Sequence, residues 1–140
     1  MATVHRVILS VFTLGVVVQF FLAGLGVFRV QGGASDSHFD HVFAPHRALG
    51  NVLFIVALLV LLAALVARLG RGQVLLGLVL ALLVFLQSIF ANTGPSWFRA
   101  LHVLNAFVIA GLAGAQTGLA WQEKRAASAG GAGMPADAAG

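Results

Sequence analysis

The sequence predicts an all-α membrane protein, a four-transmembrane-helix up-down bundle, on three observations. First, 60% of its 140 residues are hydrophobic and 9% are charged, whereas a water-soluble surface needs roughly a quarter charged. Second, the charges fall so that four uncharged runs remain, at residues 7–28, 48–67, 72–98 and 100–122. Each reaches the length of about 20 residues that crosses the hydrocarbon core as a helix. Third, the runs are continuous in Leu, Val and Ala without the two-residue alternation of barrel strands, and only helices and closed barrels satisfy their backbone groups in lipid.

Taken in order, the first run follows His5-Arg6. Its apolar stretch exceeds the roughly 7–15 residues of a signal peptide, so it reads as a retained span. His5, beside Arg6, reads as a surface residue. A loop over residues 30–40 leads to a second helix with Asp40 as its cap and Pro45 in its early turns. The turn Leu69-Gly70-Arg71-Gly72 leads to the third helix. The link Asn92-Thr93-Gly94-Pro95-Ser96 leads to the fourth, with Ser96 as cap. Links this short make successive helices antiparallel neighbours. Residues 1–125 thus form one transmembrane domain, and the Ala/Gly-rich residues 126–140 read as a disordered tail.

The net charge of +4 comes from Lys and Arg dispersed singly, so no phosphate-tracking patch can form and nucleic acid is excluded as a partner. The absence of cysteine excludes disulfides, thiolate catalysis and iron–sulfur ligation. Arg6, Arg68, Arg71, Lys124 and Arg125 fall on one side of the bundle; Arg29, Arg47 and Arg99, with Asp36 and Asp40, fall on the other. That excess of cations predicts both termini in the cytoplasm.

Polar residues inside the spans carry the functional signal, because lipid penalises them. They are Gln19, His46, Gln87, His102 and Asn105. His46 and His102 stand near the outer ends of the second and fourth helices, which run parallel, and Gln87 lies at about the same depth. Two imidazoles facing each other across a bundle form the axial pair that a heme iron takes from opposite sides of its ring. Small residues stand where a ring edge would press: Gly50 and Ala106 one turn after the histidines, with Gly15, Ala23 and Gly26 beside Gln19 on the first helix. Arg29, Arg47 and Arg99 form a cationic outer rim near Trp97, from which at least one is expected to pair a heme propionate. Asn105 is placed to orient the free ring nitrogen of His102 or simply to pack.

The order of these motifs resembles one half of heme A synthase, a membrane enzyme of two fused four-helix bundles. The matching residues are Gln19 before Phe20-Phe21-Leu22-Ala23-Gly24, His46-Arg47 opening the second helix, Gln87 near the end of the third, and Leu101-His102 on the fourth. The sequence His46-Arg47-Ala48-Leu49-Gly50 resembles more closely still an uncharacterised family of short bacterial four-helix membrane proteins, which implies no activity. The heme A synthase resemblance implies His46 and His102 as iron ligands of a heme b, and Gln19 and Gln87 as packing or hydrogen-bonding residues around the ring. Two departures matter. Phe43 stands where that enzyme has a carboxylate, and its outer-loop cysteine pair is missing. Both imply a heme holder without the oxidation chemistry, suited to electron transfer or heme handling.

The rival expectation is an accessory or packing subunit of a membrane complex without cofactor, in which the same histidines serve structure alone. A transporter is disfavoured, because no broken helix or intramembrane carboxylate is evident. His38 and His41, flanking Asp40, raise a second metal site on the outer side, though solvated loop histidines are the default. Gly111, Gly114 and Gly118 offer a close-packing face for a homodimer.

Overall fold

The computed structural model describes residues 2–33 and 39–132, and all of its regular structure is helical. Helix α1 spans Ala2–Gln31, α2 Phe39–Val66, α3 Arg71–Asn92 and α4 Ser96–Ala132. All four are long and apolar enough to cross a membrane, with mean hydropathy of 2.3, 2.9, 2.7 and 1.5 over their most apolar windows. Helices α1, α2 and α4 extend past their uncharged stretches at one or both ends, because terminal charged residues can continue a helix into the polar headgroup region, whereas α3 stops at Asn92, inside its run, where Thr93-Gly94-Pro95 turns the chain. Asp40 therefore lies in the first turn of α2 and Ser96 opens α4 as its first residue. Helix α4 also runs on to Ala132, into the Ala/Gly-rich stretch expected to be a tail. The remainder of that stretch, residues 133–140, lies outside the described residues, as do Asp36 and His38.

The helices pack as a ring: α1 on α2, α2 on α3, α3 on α4 and α4 back on α1, with no close backbone approach across either diagonal among the described residues. Large apolar side chains such as Leu14, Phe21 and Phe28 point outward, as helices dissolved in lipid require. The core is narrow. Leu9, Phe12 and Val16 of α1 meet Leu53, Ala57 and Val60 of α2, Leu80, Ala81 and Val84 of α3, and Ile109 and Ala113 of α4. Small residues bring the backbones together, since packing rather than hydrophobicity drives association in lipid. A side chain on Gly77 would meet the Leu61 main chain at 3.3 Å, so α3 lies directly against α2 there. Polar bonds reinforce the ring: the Thr13 and Thr117 hydroxyls pair at 2.8 Å and Trp121 donates to Ser10 at 3.0 Å, both joining α1 to α4.

The turns set the register. Arg68, with φ of 50°, ends α2 in a left-handed step, while Leu69 N–H bonds Ala64 at 3.0 Å and Arg68 N–H bonds Leu65 at 3.0 Å. That is the Schellman arrangement. Between α3 and α4, Gly94 takes φ of 78° against the Phe98 ring. The amides of Phe98 and Arg99 both bond the Pro95 carbonyl.

One expectation changes. His5 is 2% exposed, packed inside the bundle end rather than on its surface, because α1 already begins at Ala2 and turns that face inward. Its Nε2 is buried without a hydrogen-bond partner. Gly111, Gly114 and Gly118 are exposed on the outside of α4 with no neighbouring atoms, so none contributes to packing within the chain.

Candidate functional site

The ring topology leaves a diagonal gap at the end of the bundle where α1 ends and α2 begins, and four polar residues fill its walls. Gln19 on α1 and His46 on α2 form one pair; Gln87 on α3 and His102 on α4 form the other. Each pair is a reciprocal clasp to main chain. The Gln19 amide donates to the His46 carbonyl at 2.8 Å, and His46 Nδ1 lies 3.2 Å from the Gln19 carbonyl. The Gln87 amide donates to the His102 carbonyl at 2.9 Å, and His102 Nδ1 lies 3.0 Å from the Gln87 carbonyl.

A carbonyl only accepts, so each Nδ1 carries the proton and each Nε2 keeps its lone pair. This is the support that metal-ligating histidines ordinarily have: the nitrogen away from the metal donates to a carbonyl, which fixes the tautomer and orients the ring. The two imidazoles face each other across the diagonal with ring centres 6.1 Å apart and planes inclined by 58°. A single metal ion between two imidazoles spaces the ring centres by about 6 Å, at about 2 Å per metal–nitrogen bond and about 1 Å from nitrogen to ring centre.

Around the histidines lies a cleft of about 410 Å³, within the usual range for small-molecule sites. Phe12, Val16, Leu53, Val84 and Ile109 form its apolar floor, which is the top of the core. Gly50 and Ala106 line it as expected, together with Gln19, Ala23 and Gln87. A side chain on Gly50 would come within 3.2 Å of the Gln19 amide nitrogen, so glycine there preserves both the clasp and the space. Gly15 and Gly26 do other work. Gly15 makes room for Leu53, part of the cleft floor, and Gly26 for Phe43, which does not line the cleft. Phe43 stands edge-on to His46 with ring centres 6.4 Å apart.

The other site residues divide. Arg47 lines the cleft, but its guanidinium is held by Asp40, through the main-chain carbonyl at 2.5 Å and Oδ1 at 3.4 Å. Arg99 and Arg29 are exposed and line no part of the cleft. Asn105 does not touch His102. It is buried and donates to the Gln87 side-chain oxygen at 2.6 Å and to the Leu83 carbonyl at 2.8 Å, bracing the clasp from behind. Asn51, Ser88 and Asn92 also line the cleft, at exposed positions on α2 and α3. They stand one or five residues from Gln87 or His46, which is not a same-face helical spacing, so the sequence carried no signal for them.

Among the described residues no group of three or more His, Asp or Glu side chains gathers to hold a metal. His41 is exposed and Asp40 is engaged with Arg47, while His38 lies outside the described residues.

Four membrane-length helices around one polar-walled cleft define a multi-pass membrane protein. The chain belongs to the family of unknown function DUF6220, whose model matches residues 19–94. That span begins at Gln19, contains His46 and Gln87, and stops short of His102. No curated protein and no solved structure matches the chain, and none of these comparisons ties it to heme A synthase.

Proposed function

We propose that this is a b-type heme-binding membrane protein, built like one half of heme A synthase, that serves electron transfer or heme handling. In this reading it lies in the bacterial inner membrane with both termini cytoplasmic. The observation that supports it is the opposed imidazole pair, each Nδ1 committed to a carbonyl and the ring centres 6.1 Å apart. Two imidazoles at that spacing, with no third His, Asp or Glu gathered beside them among the described residues, suit a metal that brings its own further donors, which is what a porphyrin supplies. Gly50 and Ala106 leave room for the ring, and Arg47, which lines the cleft, is the rim cation that would meet a propionate by exchanging it for Asp40. Arg99 is a weaker candidate for that role, because it stands outside the cleft.

When bound, the heme supplies one-electron exchange. The chain's own residues do the rest. Gln87 and Gln19 hold the imidazoles in the donor tautomer and raise their basicity. The apolar floor excludes water from below. With both axial positions occupied, electron transfer is favoured over oxygen activation. The test is an absorption spectrum of protein purified from heme-replete cells. The expected result is a Soret band that shifts on reduction. Colourless protein that also fails to take up added hemin overturns the proposal.

One observation favours the second reading, a cofactor-free accessory or packing subunit. The clasps join α1 to α2 and α3 to α4 by direct side-chain to main-chain bonds, and would serve helix association alone. That reading expects alanine variants of His46 and His102 to lose helix packing, with no spectroscopic change to lose.

A further inference from the structure

The two halves of the site are built alike but braced unequally. On the α4 side, the Gln87 side-chain oxygen is held by Asn105 at 2.6 Å, and Asn105 is itself tied to the Leu83 carbonyl at 2.8 Å. The His102 clasp is thus the front of a chain of bonds running back into the core. On the α2 side the corresponding position, three residues after the histidine, is Leu49, which packs on the apolar core. The Gln19 side-chain oxygen is buried with no hydrogen-bond partner.

The helix beneath each histidine differs in the same sense. Pro45 lies inside α2 immediately before His46. It has no amide hydrogen to give the His41 carbonyl, and its ring crowds that carbonyl, so the turn carrying His46 is the weakest of α2. Gly50 follows one turn later, adding backbone freedom to the same segment. Helix α4 carries no proline, and Pro95 precedes its first residue.

Resting on the heme reading above, we propose that His102 is the permanent axial ligand and His46 the exchangeable one, so that a diatomic gas binds on the α2 side of the ring. Release of His46 breaks one histidine clasp and moves a turn already weakened by proline. Release of His102 would disturb Gln87, Asn105 and Leu83 together. The cleft beside Gly50 provides the space into which a diatomic molecule fits.

Carbon monoxide is the probe, titrated into dithionite-reduced protein in detergent, with size-exclusion chromatography confirming the fold of each variant. Wild-type protein is expected to bind it in competition with His46. His46→Ala is expected to lose less heme than His102→Ala, become five-coordinate in its spectrum and bind CO more tightly. His102→Ala is expected to lose heme tenfold or more. Leu49→Asn, which supplies the missing donor to Gln19, is expected to lower CO affinity about fivefold, the effect of one added hydrogen bond. Equal heme loss in the two alanine variants, absence of CO binding in heme-loaded wild type, or unchanged affinity in Leu49→Asn overturns this assignment. Failure of the wild type to hold heme at all overturns the underlying reading instead.

Discussion

The Gln87 side chain donates to the His102 carbonyl at 2.9 Å while His102 Nδ1 lies 3.0 Å from the Gln87 carbonyl, so two residues on antiparallel helices each hold the other's backbone. Neither bond depends on a ligand, and together they fix how α3 and α4 slide past one another.

That arrangement makes the two glutamines unequal in stability. Gln87→Leu removes two interhelical bonds, to His102 and from Asn105, and is expected to destabilise by about 1–2 kcal/mol, since such bonds in membrane proteins average about 0.6 kcal/mol and reach about 1.7. Gln19→Leu removes one such bond but also an unpartnered buried oxygen, and is expected to cost about 0.5 kcal/mol or less. Unfolding in detergent by SDS titration measures both. The reverse order would contradict the asymmetry of the two clasps.

Space beside the imidazoles is separable from the fold. Gly50→Leu places a branched side chain in the cleft, displacing the Gln19 amide. Heme content after purification is expected to fall tenfold or more while the protein still elutes as a folded species. A variant that keeps full heme content would show that the ring lies elsewhere.

Close contact between α2 and α3 sits well below the cleft. Gly77→Val brings two methyl groups against the Leu61 main chain, where even one carbon would lie 3.3 Å away. Overpacking of this kind costs about 1–3 kcal/mol. Because the contact is backbone, Leu61→Ala is expected to recover only part of the loss, which a double-mutant cycle in the same SDS assay would read.

His5 offers a gain. Its ring is 2% exposed and Nε2 has no partner, so His5→Leu exchanges a buried unsatisfied nitrogen for carbon of similar size. The expected change is a stabilisation of about 1 kcal/mol, seen as a higher melting temperature in detergent. A fall of that size would mean His5 has a polar partner in the folded protein.

The spans were legible because lipid demands long uncharged runs, and Val, Leu and Ala fill them without interruption. Helix ends were less so. Arg6 and Glu123 bound uncharged runs, yet both lie inside helices. His46, His102, Gln19 and Gln87 stood out because polar groups in a span are costly, and the structure brings all four to one cleft. Their bonding did not stand out: the partners are main-chain carbonyls, which carry no signature in the residue names. Asn105 was placed one turn from His102 correctly but faces the neighbouring helix, a rotation that spacing along α4 does not fix. Arg99 follows the same rule as Arg47 in sequence, yet only Arg47 turns toward the cleft. His5 was misread because Arg6 beside it suggested solvent, whereas successive helix residues point about 100° apart.

Each clasp lies wholly within one hairpin, the first joining α1 to α2 and the second α3 to α4. The turn at Arg68 therefore divides the molecule into two self-contained modules whose only shared business is the face between them. Fragments cut at that turn and coexpressed should reassemble into the intact bundle, because severing the connection leaves every bond that positions an imidazole within its own piece.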